Sequence, residues 1–239
     1  MIGKGKSISH GVAALEYDLA KEINGQAVAT EIARHELYGC TGAEMVQEMK
    51  PYHIDFPNVK NNCLRFEVSP SIEESATFTD ADWAELGNDF MQRMGLANHQ
   101  YIIIRHSGTE SKKEQAHLHI LANRVSLSGE LYRDNWIGKK ATEAANAIAK
   151  ERNFVQSQDI GKVNKAEIKE AMDGVLKKMQ GFDFTKFKEE LGKRGFKVRE
   201  ARASTGKLNG YYVTARSGTE YKASEIGTVS YTHLRAHET

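Results

Sequence analysis

Residues 116–124 read AHLHILANR, and the fold turns on how that run is placed. Side chains alternate across a β-strand, so residues two apart share a face about 7 Å apart along the chain. On a strand, His117 and His119 therefore project together from one side. Leu118 and Ile120 point the other way, into a core. Upstream, QYIIIRH (100–106) is short and rich in β-branched residues, which predicts a second strand ending on His106. The polar stretch SGTESKKEQ between them predicts a hairpin with a long tip, with His106 opposite the His-x-His pair. Three neutral imidazoles converging from one sheet face form a divalent-metal site with open positions. Such a metal can act as a Lewis acid on a phosphoryl oxygen. Neither cysteine lies near the three histidines, which disfavours structural zinc. The alternative is a set of hydrogen-bonded histidines on a polar sheet face.

Outward from the hairpin, the chain alternates helices and strands. GKGKSISHG is a glycine- and serine-rich start. In VAALEYDLAKEI, the residues Val12, Leu15, Leu19 and Ile23 fall at helical spacing, with Tyr17 off the stripe. A second short helix is expected around 29–37. Thr41 stands three residues before Glu44, a capping-box pattern that starts a third helix. PYHIDFPNVKNN is expected as a loop, and CLRFEVSP as a half-buried strand. Thr79 caps a helix with a face of Trp83, Leu86, Phe90 and Met94, stopped by Gly95. LSGELYRDNWIGKK reads as loop. Helices follow in ATEAANAIAKERN, NKAEIKEAMDGVLKKMQG and TKFKEELGKRG. Short strands follow in FKVREAR, YYVTAR and EYKAS, with turns at STGKLNG and SGT. The expected fold class is α+β: a central antiparallel sheet carrying the HxH hairpin, flanked by helices on one or both faces.

Composition bounds the function. The chain has 239 residues, 40% hydrophobic and 27% charged, as expected of an ordinary soluble protein with a core. No apolar run reaches the roughly 18 residues of a membrane span, and the N-terminal apolar patch is broken by Glu16 and Asp18, unlike a signal peptide. Two cysteines, Cys40 and Cys63, read as reduced thiols of a cytoplasmic protein. The net charge is only +1, but it is unevenly spread: residues 1–105 carry nine Lys/Arg against fifteen Asp/Glu, while 186–222 carry ten against four. A phosphate-binding surface, if the protein has one, is expected on the basic segment or on a folded mixture of both halves; the alternative is an ordinary solvated basic surface. The final TVSYTHLRAHET (228–239) fits neither helix nor strand and reads as a truncated or non-native tail, so His233 and His237 are left out of the site.

No Gly-x-Ser-x-Gly elbow occurs and no cysteine neighbours a histidine. Tyr17, off the apolar stripe, is a notable candidate nucleophile, because a tyrosine oxygen can attack a phosphodiester whose phosphate a metal polarises; the alternative is a partly buried packing tyrosine. The ordered series KSISHGVAALEY, YGCTGAEMVQEM, FEVSPS, TDADWAELGNDFMQRMGL, QYIIIRHSGT, AHLHILANRVSLSGE and YKASEIG resembles the relaxase or mobilisation nuclease family of conjugative and mobilisable elements. That family lies within the HUH endonuclease group, whose signature His117-Leu118-His119 fits. The resemblance covers roughly residues 1–227, expected as one relaxase domain.

The resemblance implies that Tyr17 is the nucleophile and that His106, His117 and His119 hold Mg²⁺ or Mn²⁺. It implies that Asn123 and Arg124 support the metal strand or touch phosphate. Where the family usually has an aspartate two residues after the first histidine, this chain has Gly108, and Glu110 is the nearest substitute. It further implies nicking of one DNA strand at an origin of transfer, presented as a hairpin or single strand. A 5′-phosphotyrosine forms, and the strand is rejoined after transfer. Implied partners are DNA, an accessory mobilisation protein and a coupling protein, with no membrane insertion. On this reading Lys193, Arg194, Lys197, Arg199 and Arg202 contact DNA phosphates, and Tyr211 and Tyr212 either stack on unpaired bases or pack within their strand. The rival readings are a non-catalytic DNA-binding accessory protein, a rolling-circle replication initiator or transposase, and a hydrolase of small phosphoesters.

Overall fold

In the computed structural model, residues 1–108, 115–202, 208–216 and 218–227 are described. Glu110 and the 228–239 tail lie outside them, as do most of the hairpin tip and residues 204–207 of the expected STGKLNG turn, whose last three residues begin a strand. The chain forms two compact units, Met1–Ser157 and Gln158–Thr239.

The first unit is built on β1 (Ile2–Ile8), α1 (Gly11–Leu19), β2 (Glu22–Ile23), β3 (Gln26–Ala27), β4 (Ala29–His35) and α2 (Gly42–Met49). A 3₁₀ turn (Lys50–His53), β5 (Cys63–Ser69), α3 (Ile72–Ser75), α4 (Asp80–Arg93), β6 (His99–His106), β7 (His117–Ser126) and α5 (Ile137–Glu151) complete it. Five strands make one antiparallel sheet in the order β1-β5-β7-β6-β4, with the His-x-His strand at its centre. The fold is therefore α+β with a central antiparallel sheet.

Strand alternation divides the sheet into two cores. Leu64, Phe66, Ile103, Leu118 and Ile120 face α4 and α5, packing on Trp83, Phe90, Met91, Ala145 and Ile148. Cys63, Ile102, Ile104 and Leu121 face α1 and α2, packing on Leu15, Met45 and Met49. Each fully buried aliphatic or aromatic side chain is worth roughly 1.5–3 kcal/mol in transfer free energy, so both cores hold the sheet rigid. The histidines stand on the α1/α2 side.

Local signals mark several boundaries. Thr41 caps α2 and Thr79 caps α4, each with the reciprocal bond from the third residue, Glu44 or Asp82. Gly95 ends α4 at φ +72°. The short β2–β3 hairpin turns on Asn24-Gly25, both at positive φ, as the tightest hairpins require.

Three expectations are corrected. Residues 29–37 are not a helix: Ala29–His35 is β4, paired to β6 from Ala29↔His106 to His35↔Tyr101. The helix-favouring Ala, Glu and Arg there yield to an open sheet edge that offers a full ladder of partners. The buried face of α1 is Gly11, Ala14, Leu15 and Asp18, not Val12-Leu15-Leu19-Ile23. Val12 is exposed, and Ile23 already belongs to β2. The face rotates to bring Asp18 against Arg65, which β5 presents on the same side of the sheet. The glycine- and serine-rich start is strand β1, running under α5, where a Cβ on Gly3 would lie 2.4 Å from the Ala141 carbonyl oxygen.

The second unit has α6 (Ser157–Leu176, starting at the boundary), α7 (Phe184–Lys193), β8 (Lys197–Arg202), β9 (Leu208–Thr214), β10 (Glu220–Lys222) and α8 (Ala223–Ile226). Its sheet runs β10-β9-β8, with a core of Ile168, Met172, Phe187, Leu191, Tyr211 and Val213. Tyr211 is 1% exposed and its ring packs against Phe184 and Phe187. Base stacking by Tyr211 is thereby corrected to core packing, whereas Tyr212 lies half-buried under the Arg199 guanidinium, 4.3 Å from its ring centre.

Candidate metal centre and its neighbouring helix

The β6–β7 register sets His106 against His117 and Ile104 against His119. Alternation then delivers all three imidazoles to the α1/α2 side. Ring centres lie 4.4 Å (His106–His119), 4.9 Å (His117–His119) and 5.4 Å (His106–His117) apart. One nitrogen from each ring lies within 4.8 Å of the other two. Hydrogen bonds orient the rings. His106 Nε2 donates to the Asp18 carbonyl oxygen at 2.7 Å, and His117 Nδ1 donates to the Gln115 carbonyl oxygen at 3.1 Å. These bonds leave Nδ1 of His106 and Nε2 of His117 with free lone pairs. The Nε2 atoms of His117 and His119 are 3.1 Å apart, close enough to share one proton.

Burial decides protonation. Desolvation drives the His119 pKa down to about 2, and the neighbouring His106, His117, Arg65 and Lys4 push in the same direction. Desolvation also lowers His106, with the charges of His117 and Lys21 adding to it against the bond to Asp18. Both rings stay neutral at physiological pH, the state that binds metal.

Helix α1 meets this cluster through its last turn. Asp18, 1% exposed, takes both arms of Arg65, at 3.0 Å from Nε and 2.5 Å from Nη2. The same carboxylate lies 3.8 Å from His119 Nδ1. Arg65 lies on β5, next to the His-x-His strand. The fork-to-carboxylate pair thus fixes the end of α1 against the sheet. Tyr17, one residue earlier, is 56% exposed. Its hydroxyl oxygen accepts a 2.7 Å hydrogen bond from the Lys21 ammonium. Lys21 therefore touches the tyrosine while its charge reaches His106. A three-nitrogen cluster, a helix clamped beside it and a solvent-facing phenol with a cation on its oxygen suit phosphoryl transfer.

The family model of the MobA/VirD2-like relaxase nuclease domain matches residues 17–154. This chain belongs to that relaxase family. The match lies wholly within the first compact unit, from Tyr17 to just beyond α5. No curated protein matches the chain. Among solved structures, the metal-bound conjugative relaxase TrwC in complex with oriT DNA is 12% identical, with a TM-score of 0.39, over 87% of this chain and 74% of that one. The metal-free TrwC complex with oriT DNA is 10% identical, also at a TM-score of 0.39, with the same coverage.

The remaining expected site residues of the relaxase separate into those near the triad and those away from it. Asn123 is fully buried: its amide donates to Gln100 Oε1 at 3.0 Å, and its Oδ1 accepts from His53 Nε2 at 2.7 Å. It ties the far end of β7 to β6 and the 3₁₀ turn. Arg124 holds Asp134 at 2.7 Å and donates to the Asn61 and Tyr132 carbonyl oxygens, anchoring two loops. Five residues beyond His119, it sits roughly 17 Å along the strand from that ring. In the second unit, Lys193 pairs with Glu190, Arg199 with Glu220 and Arg202 with Glu200, while Arg194 donates to the Ala171 carbonyl oxygen. Lys197 has no ion pair among the described residues. Asp18, Arg65 and Lys21 are not expected from the sequence. Their one signal is an aspartate and a lysine one and four residues after Tyr17, and nothing local indicates that Arg65 meets them.

Proposed function

We propose that this relaxase nicks one strand of DNA at an origin of transfer through attack by Tyr17, and rejoins it after transfer. The observation that carries the reading is the convergence of His106, His117 and His119 on the face clamped by the end of α1, one residue from Tyr17, within the span matched by the relaxase family.

His106, His117 and His119 would hold a divalent cation, through Nδ1 of His106, Nε2 of His117 and Nε2 of His119. The fit rests on the donor set: His106 and His117 are each oriented by a hydrogen bond on the nitrogen that would face away from the cation, and His119 Nδ1 lies 3.4 Å from Arg65 Nη2. Of Mg²⁺ and Mn²⁺, three imidazole nitrogens suit Mn²⁺ better, because Mg²⁺ takes oxygen ligands. When bound, the cation withdraws charge from a non-bridging phosphate oxygen.

Tyr17 Oη forms the bond to phosphorus, and the bond to the 3′ oxygen breaks. The 3′ hydroxyl leaves with a proton, and the 5′ phosphate stays on the tyrosine. Reversal restores the phosphodiester without ATP, because the ester bond is exchanged rather than hydrolysed. Lys21 holds the tyrosine oxygen and stabilises negative charge on it as its proton departs. Asp18 fixes Arg65 and lies 3.8 Å from His119. In this reading it supplies the carboxylate that the usual family aspartate would provide where Gly108 stands. Glu110, outside the described residues, remains the alternative source.

Asn123 and Arg124 support the metal strand through the bonds described above. Lys193, Arg194, Lys197, Arg199 and Arg202 form the second unit's proposed phosphate-binding surface, where binding would exchange existing ion pairs for DNA phosphates. The setting is the cytoplasm, with an accessory mobilisation protein and a coupling protein as partners. No helix among the described residues is long and apolar enough to cross a membrane.

The test is incubation of a supercoiled plasmid carrying the cognate origin with wild type, Tyr17→Phe, and wild type plus chelator. Wild type should give a nicked plasmid with protein on its 5′ end. Tyr17→Phe and chelation should abolish the adduct, while Tyr17→Phe still binds DNA. An adduct formed by Tyr17→Phe would refute the assignment.

A further inference from the structure

The start of the chain, Gly3-Lys4-Gly5-Lys6, has a division of labour that the proposed chemistry does not use. Strand β1 is the edge of the sheet. Its glycines face α5: a Cβ on Gly3 would lie 2.6 Å from Ala145 Cβ, and one on Gly5 would lie 3.2 Å from Ala141 Cβ. Alternation then turns Lys4 and Lys6 to the opposite face, the one that carries the histidines. The ladder confirms the alignment, with Lys4 opposite Glu67, Glu67 opposite His119, and Lys6 opposite Arg65. Lys4, Glu67 and His119 thus stand in one row across three strands, with Lys4 two strand spacings, roughly 10 Å, from His119.

A cavity of about 210 Å³ opens along this row, lined by Lys4, Lys6, Arg65, Glu67 and His119. At roughly 30 Å³ per water it has room for several waters or for a phosphodiester group. Its charge is unbalanced. Arg65 is neutralised by Asp18 and Lys4 shares Glu67 at 2.8 Å, but Lys6 is exposed and has no acidic partner among the described residues. An uncompensated cation on the rim of a cavity that also contains His119 favours an anion there.

We propose that Lys4 and Lys6 on the edge strand seat a backbone phosphate of single-stranded DNA next to the one lying over the histidine triad. The strand then runs across the sheet from β7 to β1. This inference rests on the proposed relaxase function and specifies how that site takes its substrate. The alternative role for edge-strand lysines, discouraging strand-to-strand association, predicts no effect on DNA.

The experiment uses the full chain in EDTA, so that no metal contributes, with a fluorescein-labelled thirty-nucleotide oligothymidylate as the probe. Affinity is followed by anisotropy across a salt series. Removing one lysine–phosphate interaction should lower the slope of log affinity against log salt by about 0.7 for a single strand. Lys4→Gln/Lys6→Gln should therefore flatten the slope by about 1.4, and Lys6→Gln alone by about 0.7. Lys4→Arg/Lys6→Arg should retain it, and so should Lys139→Gln, which removes an exposed lysine on α5. Wild-type binding with an unchanged slope in the double glutamine variant overturns the edge-strand seat and leaves the relaxase reading standing. An equal flattening in Lys139→Gln also overturns the seat, because the effect would then be diffuse charge. Absence of any wild-type binding also overturns the seat, and the plasmid nicking assay decides the relaxase reading separately.

Discussion

Acidification should destabilise the first unit through His119, and the size of the effect follows from its burial. Its folded-state pKa of about 2 lies well below the ordinary histidine value of 6.5. The unfolded chain therefore takes up a proton that the folded chain refuses. Above about pH 6.5 neither state is protonated there and the group adds no pH dependence. Below it, stability falls by about 1.4 kcal/mol per pH unit, continuing until the folded value is reached. Between pH 7 and pH 5 this one residue should cost about 2 kcal/mol. His106, also lowered, shifts stability in the same direction.

The assay is urea unfolding followed by tryptophan fluorescence. Both tryptophans lie in the first unit, and Trp83, 2% exposed, supplies the burial-sensitive signal. Wild type and His119→Gln are compared at pH 7, 6 and 5, so that the carboxylates common to both cancel. Wild type should lose about 2 kcal/mol more than the variant over that range. Mn²⁺ should raise wild-type stability at pH 7, by about 2.7 kcal/mol at one hundred times its dissociation constant. Equal pH slopes in the two proteins would refute the claim that the ring is held neutral by burial.

Two further outcomes follow from packing. Arg65→Ala leaves the Asp18 carboxylate buried without its partner and should cost about 3–5 kcal/mol, whereas Asp18→Leu/Arg65→Met should recover most of that stability; urea midpoints read both. Gly3→Ala forces a methyl against the Ala141 carbonyl oxygen and Ala145. Because backbone cannot yield as a flexible side chain does, it should lower stability by about 1–3 kcal/mol, measured as a shift in thermal midpoint.

The parts of the relaxase legible in its sequence are those fixed by neighbours along the chain. The β6–β7 pair follows from alternation in QYIIIRH and AHLHILANRV. The helix starts follow from Thr41 and Thr79, whose capping partners stand three residues away. The grouping of His106 with His117 and His119 needs only a hairpin. What escapes depends on partners distant in sequence. Residues 29–35 carry helix-favouring side chains and become β4 only because β6 presents an unfilled edge. Asp18 interrupts the apolar face of α1 and enters the core because Arg65, forty-seven residues on, is there to receive it. The lysines and glycines of β1 read as a polar start until α5 covers one face and the histidine strand extends the other. Tyr211 reads as a surface aromatic on a basic strand, yet α7 buries it.

The most direct test of the central claim is a crystal structure of Tyr17→Phe soaked in Mn²⁺, with diffraction recorded at the manganese absorption edge. The account predicts one strong anomalous peak bonded to nitrogens of His106, His117 and His119, on the side of the sheet that carries α1. A peak bound elsewhere, or none between the three rings at saturating Mn²⁺, would contradict it.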